Sequence, residues 1–178
     1  MFDISLHILD IAQNSIEAGA DKIIISIDEI SEDEIKISVS DNGCGMTEKQ
    51  LEKSVLPNFT TKTGENRGMG LTMLKRTAEN GGGSFEIRSD KGNGTTVCAV
   101  FTNKIPLGDM VSTIKCLVAA NRSIDFRYTH RKCGKEFTLD TAEMKNILGD
   151  IPLDNAEVYI WLSERLSEGE GELENLNE

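Results

Sequence analysis

The stretch Asp41-Asn42-Gly43-Cys44-Gly45-Met46 directly follows an alternating apolar run, Ile35 to Ser40. Such alternation predicts a half-buried β-strand, so we expect Asp41 at the end of a strand. Asn and Gly are turn residues, and glycines permit backbone angles and close approaches that other residues avoid. The stretch therefore predicts a fixed carboxylate beside backbone that a flat ligand can approach. An ordinary strand-ending turn would have the same composition.

A stripe of polar residues lies along the helix that is predicted from Ser5 to Ala18 and that Gly19 ends. Its members are three or four residues apart and therefore share one helix face. They are His7, Asp10, Asn14 and Glu17. The stripe contains no Lys or Arg, although outward helix faces usually carry Lys and Glu pairs. Acid, amide and imidazole groups without basic partners suit a magnesium–phosphate site, and a solvated helix face would show the same spacing.

A polar, glycine-bearing segment without periodicity, residues 58–70, predicts a long loop of the kind that often binds ligands. The helix predicted from Leu71 to Asn80 begins where this loop ends, so Gly68-Met69-Gly70 lies at a helix N-terminus. Free N–H groups and the helix dipole favour phosphate at such a position. Lys62 and Arg67 add positive charge to the loop of an otherwise acidic chain. A flexible connector is the alternative interpretation.

The other periodic segments of the first hundred or so residues predict two β-hairpins and a short helix. The hairpins comprise Lys22 to Ile30 with Ile35 to Ser40, and Ser84 to Arg88 with Thr95 to Thr102; the short helix runs from Thr47 to about Val55. This order of helices and strands predicts an α+β two-layer sandwich, with the helices on one face of a mixed, mostly antiparallel sheet.

The C-terminal third predicts an extension of helix, hairpin and helix. A helix is predicted from Leu107 to Ala120, a hairpin over residues 123–139, a helix from Asp140 to about Leu148 and a last helix from Asn155 to Leu166. The hairpin tip His130-Arg131-Lys132-Cys133-Gly134-Lys135 is basic. It is interpreted as a solvated turn, or as a dock for an acidic or phosphorylated partner. Residues 167–178 are rich in Glu and Gly and are predicted to be disordered.

Composition argues against several classes of function. The net charge of −11 argues against general nucleic-acid binding, which needs clustered Lys and Arg. The sequence has no apolar run long enough to span a membrane and no secretion signal, so we expect a cytoplasmic location without membrane association. The four cysteines form no Cys-x-x-Cys pair and are expected to be reduced, mostly buried thiols.

Several motifs resemble, in order and spacing, those of the GHKL superfamily, which includes gyrase-type topoisomerases, heat-shock chaperone ATPases, histidine kinases and mismatch-repair ATPases. Asp10–Ala20 resembles the N box, Asp41–Met46 the first glycine box, Phe59–Lys62 the phenylalanine box of histidine kinases, Arg67–Leu71 the second glycine box and Gly94–Val97 the closing strand. The match covers about residues 1–102. It predicts an ATP-binding domain over residues 1–104, an extension over 105–166 and an acidic tail over 167–178.

The resemblance implies the Bergerat ATP-binding fold, with ATP and Mg²⁺ as cofactors. Asp41 would accept a hydrogen bond from the adenine amino group, and Thr96 would bind a water that Asp41 also holds. Asn14 would coordinate the metal, and Asp10 would act as the general base. The full set of implied ATP-binding residues is Asn14, Asp41, Gly43, Gly45, Met46, Thr61, Lys62, Arg67, Gly68, Met69, Gly70, Leu71 and Thr96.

Asp10 stands where the hydrolysing members of the superfamily usually have Glu, and a displaced general base slows catalysis. Three functions stay open: a magnesium-dependent ATPase acting as a small regulatory or accessory module, a serine/threonine kinase similar to the anti-sigma factors, and a non-catalytic nucleotide sensor. Autophosphorylation is not expected, because no helix with an acceptor His precedes the domain in this sequence, and His7 is interpreted as a phosphate-side residue. We expect a protein partner in addition to ATP, and a homodimer stays open.

Overall fold

The computed structural model describes residues 3–56 and 69–175. The helices within them are α1 (Ile4–Glu17), α2 (Glu48–Ser54), α3 (Gly70–Asn80), α4 (Met110–Ala120), α5 (Thr141–Leu148) and α6 (Ala156–Glu174). The strands are β1 (Lys22–Glu29), β2 (Ile35–Asp41), β3 (Ser84–Ser89), β4 (Thr95–Phe101), β5 (Asp125–Lys132) and β6 (Lys135–Asp140). None of the helices in these residues has the length and apolarity needed to cross a bilayer.

One six-stranded sheet, in the order β3-β4-β2-β1-β5-β6, connects all these strands. Neighbouring strands are antiparallel except β1 and β5, which are parallel. Alternate residues of β1, namely Ile23, Ile25 and Ile27, are buried in the core that the sheet shares with α1, α3, α4 and α6. Burying a side chain of this size contributes about 2 kcal/mol. The predicted α+β two-layer fold, with its mixed and mostly antiparallel sheet, is confirmed.

The C-terminal hairpin extends the same sheet. Strand β5 pairs with β1 along its whole length, from Lys22 opposite Asp125 to Glu29 opposite Lys132. Parallel neighbouring strands need a crossover connection. The segment between β4 and β5, which contains α4, provides it. The start of α1 is joined to that segment, because the N–H of Ile4 donates to the carbonyl oxygen of Pro106 at 3.0 Å. Sheet and core are therefore continuous across the domain boundary predicted between residues 104 and 105.

The predicted disorder of the acidic tail is wrong for residues 167–174, because α6 continues to Glu174. The buried stripe of α6 begins with Val158, Leu162 and Leu166 and continues with Gly169 and Leu173. A Cβ atom at Gly169 would overlap the ring of Phe137, so glycine lets the helix lie against the sheet at this point. Buried residues thus keep helical spacing in a segment whose overall composition is typical of disorder. Residues 176–178 lie outside the described residues.

The interpretation of residues 130–135 as a solvated basic turn is also wrong. Strand β5 continues to Lys132, and only Cys133 and Gly134, both with positive φ, form the turn. His130 is fully buried, and its Nδ1 and Nε2 atoms lie 2.8 Å from Glu170 and 3.0 Å from Glu29. Burial alone lowers the pKa of His130, but the hydrogen bonds and charges of the two carboxylates outweigh it and raise the pKa to about 9.

Acidic side chains also pair with Arg131 and Lys132 in this segment. Arg131 contacts Asp28 at 3.0 Å and Glu136 at 2.6 Å. Lys132 lies 3.3 Å from Glu29 and 3.1 Å from Glu174. These two cations are therefore paired within the chain, whereas the exposed Lys135 donates to the backbone carbonyl oxygen of Glu172 at 3.4 Å. Docking of an acidic partner at this hairpin stays a prediction.

The four cysteines, Cys44, Cys98, Cys116 and Cys133, are free, as predicted. Cys98 is partly exposed and the other three are exposed. Their expected burial is therefore wrong. Cys98 lies on the polar face of β4, where its sulfur is 3.5 Å from the hydroxyl of Ser38.

Candidate nucleotide-binding site

The Asp41 carboxylate, at the end of β2, is fixed by three hydrogen bonds. Its Oδ2 accepts from the hydroxyl of Ser15 on α1 at 2.6 Å. Its Oδ1 accepts from the backbone N–H groups of Gly43 at 2.9 Å and Thr95 at 3.2 Å. These donors come from the helix, the following turn and the neighbouring strand. The carboxylate is therefore held at the junction of three elements, as an acceptor with a set orientation.

The turn after Asp41 is held on both sides by backbone hydrogen bonds. The N–H of Cys44 donates to the carbonyl oxygen of Ala18 at 2.9 Å, and the carbonyl oxygen of Cys44 accepts from Gly92 at 2.8 Å. The N–H of Met46 donates to the hydroxyl of Ser89 at 2.9 Å. The turn therefore lies between the end of α1 and the turn that joins β3 to β4.

Both glycines of this turn are required by their surroundings. Gly45 has a φ of +60°, and a Cβ atom there would collide with the carbonyl oxygen of Asp90. A Cβ atom at Gly43 would lie 2.9 Å from the Cβ of Ala18 and 3.1 Å from Oδ1 of Asp41. Any larger residue would therefore displace the carboxylate or the turn that holds it. Gly43 thus lies against the Asp41 carboxylate, and Gly45 and Met46 belong to the turn that follows it.

Thr96 does not lie beside Asp41, which corrects the role implied for it. In the antiparallel register, Asp41 is opposite Thr95, whereas Thr96 is opposite Ser40. Successive side chains of a strand point to opposite faces of the sheet, so Thr96 is on the face away from α1. Its hydroxyl lies 2.8 Å from that of Ser40. Thr95 shares the face of Asp41 and is the threonine of the site.

Ser15 was missed by the sequence reasoning. It is only 3% exposed and follows Asn14 directly on the buried side of α1. The sequence does contain a signal for this residue, because a hydroxyl on the apolar face of a helix needs a hydrogen-bond partner. The hydroxyl is 2.6 Å from Asp41 and also 3.3 Å from the carbonyl oxygen of Ile11.

The N-terminus of α3 packs directly against α1. A Cβ atom at Gly70, the first residue of α3, would lie 3.2 Å from the Cβ and 3.5 Å from the Oδ2 of Asp10. Met69, the N-cap residue, makes no side-chain cap, and Leu71 packs against the core. Asn14 lies one turn beyond Asp10 on α1, and both are exposed. The carboxylate of Asp10 thus lies against the N-terminus of α3, with Asn14 one turn further along α1. Thr61, Lys62, Arg67 and Gly68 lie outside the described residues.

Of the predicted polar stripe of α1, His7 is buried, whereas Asp10, Asn14 and Glu17 are exposed. Burial lowers the pKa of His7, and the charges of Asp10 and Asp3 oppose that change. Desolvation by the surrounding protein raises the pKa of Asp10, and the charge of His7 opposes it. A carboxylate with a raised pKa accepts a proton more readily, which suits a general base.

The oxygen ligands of α1 fit a magnesium ion better than a transition metal. In the described parts of the chain, no group of three or more His, Cys, Asp or Glu residues could hold a metal. Mg²⁺ usually takes one or two protein oxygens and completes its shell with water and substrate phosphates. The amide oxygen of Asn14, with Asp10 one turn away, is such a donor set.

The part of the sequence that forms this site matches a known protein family. Residues 3–108, more than half of the chain, match the family of histidine kinase-, DNA gyrase B- and HSP90-like ATPases. The chain belongs to this family. The resemblance to the GHKL superfamily is thereby confirmed, and every described residue of the candidate site lies within the matched range.

Two of the similar proteins are bacterial kinases. The chain is 32% identical over 102 residues to the sensor histidine kinase ZraS of Klebsiella oxytoca, which covers 56% of this chain and 21% of the kinase. It is 34% identical over 89 residues to sporulation kinase E of Bacillus subtilis, with 49% of this chain and 12% of the kinase covered. The chain therefore corresponds to a small part of either kinase.

A solved structure supports the fold over a longer range. The N-terminal domain of a DNA repair protein superposes with a TM-score of 0.57 and 18% identity, over 79% of this chain and 53% of that protein. At this level of identity the similarity concerns the fold alone.

Proposed function

We propose that this chain binds ATP, with Asp41 accepting a hydrogen bond from the adenine amino group. The observation that carries the proposal is the hydrogen bonding of Asp41. A carboxylate offers about four lone-pair positions, and the described residues fill three of them. The remaining position suits one further N–H donor. Gly43 and Gly45 keep the adjacent backbone free of side chains, and Met46 adds an apolar surface for the base.

The phosphates would lie between α1 and the start of α3. Gly70 and Met69 contribute N–H groups at a helix N-terminus, where phosphate is favoured. Asn14 would hold Mg²⁺ against the phosphate oxygens. Lys62, Arg67 and Gly68 precede α3 in sequence. We assign them, with Thr61, to the phosphates because Thr61 and Lys62 resemble part of the phenylalanine box and Arg67 and Gly68 part of the second glycine box. Leu71 fixes the first turn of α3 by packing against the core.

The reaction that we propose is ATP hydrolysis, with Asp10 as the general base. A water attacks the γ-phosphorus, the bond to the β–γ bridging oxygen breaks, and Asp10 takes the proton of the attacking water. Mg²⁺ balances the charge of the phosphates when it is bound. The raised pKa of Asp10 and its position against Gly70 support this role. We expect slow turnover, because Asp10 is one methylene shorter than the Glu of the hydrolysing members.

We further propose that the protein is a small cytoplasmic regulatory or accessory module whose ATP-bound state is read by a protein partner. A second candidate is a serine/threonine kinase, in which Asp10 would take the proton from a partner hydroxyl instead of a water. The similarity to two kinases supports phosphate transfer from ATP in general, and it does not select Ser or Thr as the acceptor. A non-catalytic nucleotide sensor is the third, and the short side chain of Asp10 favours it.

Incubation of the protein with Mg²⁺ and γ-labelled ATP separates these candidates. Free phosphate from the protein alone supports hydrolysis, label on Ser or Thr of an added protein supports the kinase, and binding without turnover supports the sensor. Asp10→Asn is the decisive variant, because it retains the size of the side chain and removes the base. We expect turnover to fall by a factor of about a hundred or more while ATP affinity changes little. Unchanged turnover would remove Asp10 from the chemistry.

A further inference from the structure

Exposed hydrophobic side chains are concentrated in one stretch of the chain, from the end of α5 to the first turns of α6. Nine large hydrophobic side chains are exposed in the described residues, and five of them lie between residues 147 and 161. These five, which we call the α5–α6 patch, are Ile147, Ile151, Tyr159, Ile160 and Trp161. Ile147 is 86% exposed and Ile160 is 58% exposed. Scattered exposed hydrophobic residues are ordinary, but a concentration of them is typical of an interaction site.

The segment that carries the α5–α6 patch is itself well anchored. Leu153, Val158 and Leu162 are buried in the core. Asp154 forms an ion pair with Arg122 at 3.0 Å, and the Asn155 side chain caps α6 by accepting from the N–H of Glu157 at 2.9 Å. The exposed side chains are therefore displayed by fixed backbone, and their exposure does not result from poor packing of the segment.

Acidic side chains outnumber basic ones in the segment that carries the α5–α6 patch. Two cations from elsewhere in the chain also reach it, because Arg122 pairs with Asp154 and Lys115 lies over the ring of Tyr159. Between residues 143 and 164 the chain carries five carboxylates and one lysine: Glu143, Asp150, Asp154, Glu157, Glu164 and Lys145. The lysine is already engaged, because its Nζ lies 2.6 Å from Asp125 and donates to the carbonyl oxygen of Ile124. Apolar side chains within an acidic surrounding select a partner that is both apolar and basic.

We propose that the α5–α6 patch docks a basic amphipathic helix of a partner protein. The apolar face of that helix would cover Ile147, Ile160 and Trp161, and its Lys or Arg residues would face Glu157 and Glu164. A second copy of this chain is a poorer occupant, because it would bring the same carboxylates together. An anionic lipid surface is repelled for the same reason. The partner's charge is thus opposite to that of the acidic partner that the hairpin sequence suggested.

This inference rests on surface chemistry and does not depend on nucleotide binding. The patch residues belong to α5, α6 and their connection, whereas the proposed ATP site belongs to α1, the turn after β2 and α3. A variant of Asp41 should therefore retain docking, and a variant of Ile160 should retain ATP binding. Failure of one proposal would leave the other standing.

Trp161 is the only tryptophan of the chain and lies in the patch, so its fluorescence reports docking directly. The full chain would be titrated with a synthetic helical peptide of leucine and lysine in an amphipathic pattern. We expect a saturable blue shift that weakens as salt is raised. Matched peptides, with Glu in place of Lys or with Ser in place of Leu, should give no shift at the same concentrations.

Variants locate the binding surface. Ile160→Ser and Ile147→Ser should each weaken binding of the leucine–lysine peptide by about tenfold or more. Ile30→Ser is the matched control, because Ile30 is 57% exposed, close to the 58% of Ile160, and lies beyond the end of β1. Circular dichroism and the melting temperature verify that each variant is folded.

Several outcomes would overturn the inference. These are the absence of a shift with the leucine–lysine peptide, equal binding of a control peptide, and unchanged affinity in both Ile160→Ser and Ile147→Ser. A dimer detected by sedimentation and dissociated by Ile160→Ser would identify a second copy as the occupant. A fluorescence shift on phosphatidylglycerol vesicles that Ile160→Ser removes would identify a membrane surface instead.

Discussion

Two clusters of hydrogen bonds, each centred on one or two carboxylates, lie at opposite ends of the β1–β2 ladder. They differ in whether the groups that bind the carboxylates are neutral or charged. Asp41 is opposite Ile23 at one end, and Glu29 is opposite Ile35 at the other. Asp41 accepts from a hydroxyl and two backbone N–H groups, all of them neutral. Glu29 and Glu170 enclose the buried ring of His130, and Lys132 and Tyr128 add further contacts. Neutral donors thus orient Asp41, whereas the charged His130 on β5 joins Glu29 of β1 to Glu170 of α6.

The largest effect is expected from the cluster that holds α6. Glu170→Ala removes one carboxylate from a buried, charged histidine and one acceptor from Tyr128, so we expect a loss of about 4 kcal/mol in the free energy of unfolding. Urea unfolding measures it. Glu172→Ala, at an exposed site on the same helix, should change stability by less than about 0.5 kcal/mol. Equal losses in the two variants would show that the cluster does not stabilise α6.

The same cluster predicts a pH dependence of stability. His130 has a folded-state pKa of about 9 against an ordinary value of 6.5, so its stabilising effect is complete below pH 6.5 and is lost as pH rises towards and through 9. We expect a decrease of up to about 3 kcal/mol across that window. Unfolding curves at successive pH values test it. The variant His130→Asn should be less stable at pH 6 and should lack the decrease; an unchanged slope would assign the dependence to other groups.

A smaller effect, confined to ligand binding, is expected at Asp41. Asp41→Asn retains the size of the side chain but turns an NH₂ group towards one of the donors. We expect ATP affinity to fall roughly thirtyfold, about 2 kcal/mol, and the free energy of unfolding to fall by about 1 kcal/mol. Calorimetric titration with ATP measures it, and Asp33→Asn in the turn between β1 and β2 is the control. Retention of full affinity would rule out Asp41 as the adenine acceptor and would weaken the contrast between the two clusters.

The smallest effect concerns the residues around Asp41. Ser15→Ala removes one neutral hydrogen bond to the carboxylate, so we expect a loss of about 1 kcal/mol in ATP binding, roughly fivefold. Thr96→Val, on the opposite face of the sheet, should leave the affinity unchanged. If the effects of the two variants were reversed, the register that assigns Thr95 to the site would be contradicted by function.

Periodicity and turn chemistry predicted the elements that surround the proposed ATP site. Alternation located β2 and hence Asp41 at its end, and the helical spacing located Asp10 and Asn14 on one helix. The face occupied by Thr96 could not be predicted in the same way. Two adjacent threonines follow Gly94, and which of them faces Asp41 depends on how β4 pairs with β2, which lies more than fifty residues earlier in the chain.

The errors in the C-terminal third also arise from distant contacts. His130 appeared to belong to a polar turn because its two carboxylate partners lie 101 and 40 residues away in sequence. The end of α6 appeared disordered because Glu and Gly dominate its composition. The apolar residues that hold it are few, and Glu170 stabilises it through partners on β5 that local sequence does not reveal.

The parallel pairing of β1 with β5 has a consequence for the growing chain. The family match ends at residue 108, yet one entire edge of β1 finds its hydrogen-bond partners only in residues 125–132. Until that strand is synthesised and docked, β1 is an edge strand rich in isoleucine, with unpaired N–H and C=O groups along one side. Exposed edges of this kind pair readily with other chains. A fragment that stops at the family boundary would therefore keep the residues of the proposed ATP site and acquire an aggregation-prone edge.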